Sequence, residues 1–461
     1  MQRTDVPIAP MGRLRTHLIK GAAGSFVLQV GFAGIAFLNA IILARVLGAG
    51  GYGTFANAMA WVSLLTIPAT FGFGILLVRD TAIYRSQEKW GLLKGMLRFS
   101  DRFVLVLSVL LALAAAAAAG FTFSSPAQVT MRHTIWIALM LLPIFALYNL
   151  RESAIRGLEY VIRARLPGML IRPGLLLAGI GVIYFFWPNR LSAPAAMAVN
   201  VGAGVVILGT GIFFLKRLLP PEVKQAKAEY TPGLWLKAAF PMLVYGGMQI
   251  VLGQTDIVML GAMRGAHDVG LYAAAYRLSY LLIYVTYAAE VILAPVISRM
   301  YVNGENIRLQ KIITRAVRIS FFSVLPFGLV LCFWGGELLG IFGHEFRGAE
   351  AALIILAVGR LLEVSLGSSA LLLPMTGHER IVAKVLSSFV VANILLNAIL
   401  IPRYGLEGAA IASVISLISV KSLLTIYAMR KTALMPTILG TFTGKGAVQK
   451  SSTCAKSKVT E

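Results

Sequence analysis

The stretch Val46–Leu65, "VLGAGGYGTFANAMAWVSLL", decides how the chain folds, because the chain carries it twice. Met263–Leu282 reads "MRGAHDVGLYAAAYRLSYLL" and lies over it without a gap. Gly48 falls on Gly265, Ala49 on Ala266, Gly53 on Gly270, Ala56 on Ala273 and Ala58 on Ala275. Leu64 and Leu65 fall on Leu281 and Leu282, and Phe55 on Tyr272. The separation, 217 residues in a chain of 461, is close to half the length. Further along, "RGLEY" (Arg156–Tyr160) is echoed by "TGHER" (Thr376–Arg380). Patterns of Gly-x-x-x-small that merely let helices pack closely are the other source of such matches. Seven identities in twenty exceed what composition supplies and favour duplication of a unit.

The composition says what kind of unit this is. Apolar residues make up 58% of the chain and charged residues 13%, against roughly 45–50% and about 25% in soluble domains. That marks a membrane protein. Crossing the hydrocarbon takes about 20 apolar residues per helix, and twelve runs qualify. They lie near 20–46, 52–78, 103–123, 134–150, 167–187, 193–215, 236–262, 270–293, 318–341, 351–374, 381–402 and 405–429. None shows the alternation of a membrane barrel strand. The run "ALMPTILG" after Lys431 is too short to span.

The lysines and arginines test that count. Arg45, Arg132, Arg190, Arg264, Arg347 and Arg403 fall in loops on the side opposite the N-terminus. Arg172, Arg277, Arg360 and Lys421 fall inside spans, and the other 32 of the 42 lie on the N-terminal side. Positive loops stay in the cytoplasm, so both termini of a multi-pass membrane protein are expected there. The net charge of +23 is then explained by topology, and no nucleic acid is implied. Spans one and seven run in the same direction, so the halves are parallel duplicates around a pseudo-twofold axis along the membrane normal.

The expected fold is therefore an all-α polytopic membrane protein of about 12 transmembrane helices, in two pseudo-symmetric six-helix lobes around a central cavity. Its divisions are a cytoplasmic segment over 1–19, an N-lobe over 20–215, a cytoplasmic linker over 216–235, a C-lobe over 236–429 and a basic tail over 430–461. From Thr441 the tail is rich in Gly, Ser, Thr and Lys, a composition of disorder. Between spans two and three, "DTAIYRSQEKWGLLKGMLRF" carries Ile83, Trp90, Leu93, Met96 and Leu97 among basic residues. It reads as an amphipathic helix lying on the cytoplasmic interface.

Several chemistries are missing from the sequence. No G-x-x-x-x-G-K-[ST] phosphate loop occurs, because "GTFTGKG" in the tail has the wrong spacing, so ATP is not the direct fuel. The five histidines are scattered, no acidic or Cys/His cluster has metal-ligand spacing, and Cys332 and Cys454 make no disulfide framework. A glycan polymerase would need a large external loop for acidic catalytic residues, and the external connections are short. Transport, rather than enzymatic chemistry, is the expectation that remains. No cofactor is implied beyond H+ or Na+ coupling.

Ionisable groups inside spans cost a few kcal/mol each on insertion scales and are the candidate site. Arg277 in span eight and Asp256 in span seven lie at matching depths on either side of the turn at Gly265. They are expected to pair or to face one cavity. The repeat places Asn39 over Asp256 and Ala60 over Arg277, so the second half holds charge that the first lacks. Tyr272, Tyr276, Tyr280, Tyr284 and Tyr287 fall within about a third of the helix circumference beside Arg277. They would either stack on sugar rings or pack helices. Arg360 and Glu363, three apart in span ten, can bond on one helix face. Glu290, followed by Pro295, is a candidate for a coupling proton. Arg172 and Lys421 sit near cytoplasmic ends, where snorkelling explains them. Asn393 and Asn397 share a face of span eleven and either tie helices together or line the pore. The slight excess of intramembrane cations suits an anionic cargo.

Three stretches resemble polysaccharide transporters of the Wzx-type oligosaccharide flippase family, within the MATE/MurJ-like superfamily. "LARVLGAGGYGTFANA" is similar to that family's first loop, with small residues before Tyr-Gly. "QTDIVMLGAMRGAHDVGLYAAAYRL" resembles its span-seven/span-eight hairpin, and "ANILLNAILIPRYGLEGAAIASVIS" its span-eleven/span-twelve hairpin. "RDTAIYRSQEKW" does not match the second-loop motif of the rival major facilitator architecture. The resemblance implies a flippase that moves a polyprenyl-pyrophosphate-linked glycan to the outer leaflet for O-antigen, capsule or exopolysaccharide assembly. It would work by alternating access of two lobes, with cavity cations on the pyrophosphate and the lipid tail left in the bilayer. A glycan polymerase is the partner that this implies. A multidrug antiporter and a peptidoglycan-precursor flippase on the same scaffold are the alternatives, with a non-transporting membrane scaffold for a glycan synthase as a third.

Overall fold

The computed structural model describes residues 11–122 and 128–440. The N-terminal ten residues and the tail from 441, part of the segments expected at the two ends, lie outside the described residues. Those described are helical nearly throughout, and nine helices among them are long and apolar enough to cross a membrane.

Nine is fewer than the twelve expected, and two of the nine are interrupted within their length. Glu379–Thr432 is interrupted at Gly405, whose backbone takes φ 59° and ψ −131°. Asn393 Nδ2 donates to Ser416 Oγ at 3.3 Å, although 23 residues of straight helix would hold them about 35 Å apart. The chain therefore turns back on itself at Gly405. Met11–Thr70 is interrupted in the same way at Gly48, with φ 67° and ψ 175°. Asn39 donates to the Pro173 carbonyl, the adjacent Arg172 bonds Asn200, and Asn200 reaches the Met59 sulfur. Residues 39 and 59 are thus neighbours rather than about 30 Å apart. Span eight is missing from the nine because it is broken: Ala266–Tyr280 ends at Leu281–Leu282, and Ile283–Val302 begins anew.

The two copies of the repeat pack against each other. Gly53 lies on the Ala266 carbonyl and the Gly270 amide, and Gly270 lies on the Ala49 carbonyl. Moving each residue along by the repeat spacing converts the first contact into the second, which is the signature of a twofold-related interface. A Cβ at either glycine would collide with backbone, so only glycine permits this approach.

Around this contact one large apolar core draws on both halves, joining Ala44, Tyr52 and Phe55 to Leu260, Tyr272, Phe342 and Phe346. At the other end there are two cores. One gathers Phe73, Leu93, Met96, Leu150 and Trp235, and the other Leu293, Ile313, Leu372, Leu386 and Leu424. Arg45, Arg264, Arg347 and Arg403 flank the joint core, whereas the basic loops flank the two separate ones.

The expected interfacial helix before span three is corrected by the structure. Trp90–Thr122 is one continuous helix, and Leu93 and Met96 are fully buried in the first of the two separate cores. The linker returns to cover them. Lys94 Nζ donates to the Lys224 and Ala226 carbonyls, Glu229 N donates to Gly91 O at 3.0 Å, and the Trp235 indole donates to Tyr84 Oη. At the chain's other end, residues 434–440 lie across the second separate core. Met435 N donates to Gln310 Oε1, Arg318 donates to the Ile438 carbonyl, and Ile438 N donates to Ser365 O.

Candidate functional site

Between the two halves lies a cavity of about 1220 Å³. The first half contributes Asn39, Glu152 and Arg172 to its walls, and the second half Arg277, Glu290, Arg360, Glu363 and Lys421. Of the residues expected at the site, Asn39, Arg277, Tyr280, Tyr284, Glu290, Arg360 and Glu363 all reach this one space.

The tyrosines form a ladder. Spacing of four along Ala266–Tyr280 stacks Tyr272 on Tyr276 and Tyr276 on Tyr280, with ring centroids 6.1 and 5.7 Å apart. Tyr284, beyond the break at Leu281–Leu282, meets Tyr280 edge-on at 5.8 Å, and Tyr287 Oη lies 3.2 Å from Tyr280 Oη. The Arg360 guanidinium covers the faces of Tyr276 and Tyr280, 5.4 and 5.3 Å from their centroids. It also donates to Glu363 Oε2 at 2.8 Å. Lys421 Nζ lies 3.6 Å from the other oxygen of Glu363, so one carboxylate serves two cations. Glu290 lines the same cavity.

Asp256 and Arg277 neither pair nor face one cavity, which corrects the expectation from their depths. Asp256 is only 2% exposed and is surrounded by uncharged partners. Asn397 donates to Oδ1 at 2.7 Å and Asn393 to the same oxygen at 3.4 Å. Tyr272 Oη donates to Oδ2 at 3.1 Å, as does the Ser413 hydroxyl. Asn393 and Ser413 line the cavity, so the carboxylate sits one layer behind its wall. The reason is angular. Tyr272, which faces Asp256, and Arg277 are five residues apart, about 140° around the helix, so matching depth did not mean a shared face. Asn393 and Asn397 tie helices to Asp256, and Asn393 reaches the pore as well.

Arg277 instead faces the first half, beside the Tyr52 hydroxyl, Tyr284 and Arg172. Arg172 does not snorkel: it stands over Phe145 at 4.3 Å and donates to Asn200 Oδ1 at 3.2 Å. Lys421 does not snorkel either, since it lines the cavity with its side chain 13% exposed. Among the described residues, neither Arg172 nor Arg277 has a carboxylate within 4.0 Å. Two arginines from opposite halves therefore bring uncompensated positive charge to one cavity. Asn39 turns both amide hydrogens to carbonyls, and its Oδ1 is buried without a partner. Sequence reasoning missed Arg172, Lys421 and Glu152, because position near a span end does not show which way a side chain turns.

A helical membrane chain with a charged, tyrosine-walled cavity between its halves belongs to the class of multi-pass membrane carriers. Residues 18–301 match the model of the polysaccharide biosynthesis protein family, and the chain belongs to that family. Over 405 residues it is 25% identical to the "Probable low-salt glycan biosynthesis flippase Agl15" of Haloferax volcanii, an alignment covering 87% of this chain and 81% of that one. Two solved structures share the fold. An inward-facing MATE family multidrug resistance transporter of the MOP superfamily superposes with a TM-score of 0.70 at 13% identity, over 88% of this chain and 98% of that one. The lipid II flippase MurJ, in an inward closed conformation, gives 0.67 at 15% identity, over 89% and 87%. The family and the fold implied by the three sequence motifs are thus both borne out.

Proposed function

We propose that the protein carries a polyprenyl-pyrophosphate-linked oligosaccharide across the cytoplasmic membrane for surface glycan assembly, by alternating access of its two halves. The observation that carries this reading is the pair of guanidiniums, Arg172 and Arg277, that reach one cavity from opposite halves without a carboxylate partner. A pyrophosphate held by both would link the halves only while cargo is present. Arginine's planar fork suits phosphate oxygens. The hydroxyls of Tyr276, Tyr280 and Tyr284 suit a sugar chain, and the charge of the basic loops supports a cavity that faces the cytoplasm. Glu290, on the cavity wall, and Asp256, behind it, are the carboxylates available for H+ or Na+ coupling. An antiporter for cationic drugs would call for net negative walls, and these walls carry Arg172, Arg277, Arg360 and Lys421 against three glutamates.

The test is a reconstituted assay. Purified protein in liposomes should move a fluorescent polyprenyl-pyrophosphate-oligosaccharide between leaflets, and Arg277→Ala and Arg172→Ala should each slow it at least tenfold with protein levels intact. Transfer at the normal rate by both variants would remove the arginine pair from the mechanism. Gradient-driven export of an organic cation with no glycolipid movement would give the case to the antiporter.

A further inference from the structure

A second pocket, of about 590 Å³, opens where the start of helix Glu379–Thr432 meets its end. Its rim holds Arg380, Lys384 and Lys431, with His378, Glu379 and Tyr427 beside them. All three cations are exposed, and among the described residues none is in an ion pair. The single carboxylate, Glu379, leaves the rim positive. The first turn of a helix adds its own positive pole there.

The pocket is not part of the cargo cavity. On the same helix Val382, Leu386 and Asn393 face that cavity, whereas Arg380 and Lys384 are turned away from it. At 100° per residue, Arg380, Lys384, Val391 and Leu395 fall within about 60° of one another. Val391 is 58% and Leu395 59% exposed. One outward stripe therefore runs from two cations to two bare aliphatic side chains. Val391 lies about 10 Å below Lys384 along the helix, and Leu395 about 16 Å below it. That is the profile of a lipid, charged at the head and apolar beneath it. Basic pockets between spans on the positively charged side of membrane proteins take anionic headgroups.

We propose that Arg380, Lys384 and Lys431 bind the phosphate headgroup of an anionic bilayer phospholipid, whose acyl chain lies along Val391 and Leu395. The site holds the outer face of the helix whose inner face carries Asn393 and Asn397, and it is distinct from the cargo site of the proposed function.

The experiment uses the full chain in detergent, with bound lipid read by native mass spectrometry after addition of phosphatidylglycerol or phosphatidylcholine. Phosphatidylglycerol should be retained in preference and lost as salt rises. Each cation contributes roughly fivefold at low salt, so the triple variant R380Q/K384Q/K431Q should lose about a hundredfold in affinity. The charge-conserving R380K/K384R/K431R should keep binding, and helical circular dichroism of both variants shows that the fold persists. Equal retention of the two lipids, or unchanged binding by the glutamine variant, would overturn the proposal. Displacement of phosphatidylglycerol by millimolar inorganic phosphate would assign the pocket to a soluble anion, and preference for polyprenyl phosphate would assign it to the cargo. Either result rejects the phospholipid. Failure of the flippase assay leaves this readout untouched, so the two proposals fail separately.

Discussion

The two ends of the molecule solve opposite problems. At the end flanked by Arg45, Arg264, Arg347 and Arg403, the halves share one core and touch through backbone at Gly53 and Gly270. At the basic end the packing divides into two cores, one of the first half together with the start of helix Pro232–Met263 and one of the second half, and the cavity lies between the halves. The joined end combines close backbone approach with a large shared apolar core. Small residues let the helices meet, rings such as the buried Phe342, met edge-on by Phe37, fill the core beside them, and a few polar contacts fix the register. Arg45 Nε donates to the Ile341 carbonyl at 2.6 Å, and Ala49 N donates to Glu345 Oε1 at 2.6 Å. At the basic end the linker covers one core and residues 434–440 cover the second, while Gly72 meets the Ala239 carbonyl across the halves. Opening the seam would part the close backbone approach, a handful of bonds and the apolar core that both halves share.

The largest expected effect lies in the cavity at the parted end. Glu363→Ala would leave Arg360 and Lys421 facing each other with side chains only 10% and 13% exposed. Removing one partner of a buried pair costs about 3–5 kcal/mol. Water in the cavity should bring this to the lower edge, about 3 kcal/mol, read as a fall in the melting temperature of the purified protein. An unchanged melting temperature would mean that the two cations are already solvated, and that the parted end needs no internal charge balance.

Next comes the seam. Gly53→Leu forces a side chain into the Ala266 backbone, and overpacking of this kind costs about 1–3 kcal/mol. Because the strain exists only when the joined end is shut, it should shift the balance between shut and open by roughly 5–150-fold. Spin labels at exposed positions on either side of the seam should report a longer distance in the variant, and Gly270→Leu should do the same through Ala49. An unaltered distance in both would show that the seam does not part.

The smallest effect tests the polar contacts. Glu345→Gln keeps an acceptor for the Ala49 amide but removes its charge. The loss should be about 1 kcal/mol, the usual difference between charged and neutral hydrogen bonds, and it should appear as a slight opening at the seam rather than as unfolding. A cost as large as that of Gly53→Leu would make this bond, and not the glycines, the main hold on the joined end.

The sequence by itself determined the solvent, the helices and the duplication. Apolar runs of span length can satisfy their backbone in a bilayer only as helices or closed barrels, and the lysines and arginines sort the loops by side without any contact being known. The repeat was legible because the glycines that let its copies touch could not be replaced by other residues. That the copies touch each other was not legible, since repeats are equally able to face lipid or a neighbour. The candidate site divided along the same line. Arg360 with Glu363 and the tyrosine ladder are local, set by spacings of three and four on one helix, and they were readable. The partners of Asp256, the inward turn of Arg172 and Lys421, and the burial of Leu93 and Met96 under the linker were not. A helical sequence records depth along the membrane and angle around one axis. Which angle meets which neighbour is fixed only when helices far apart in the chain pack, and that packing joined the halves at one end and left a cavity between them at the other.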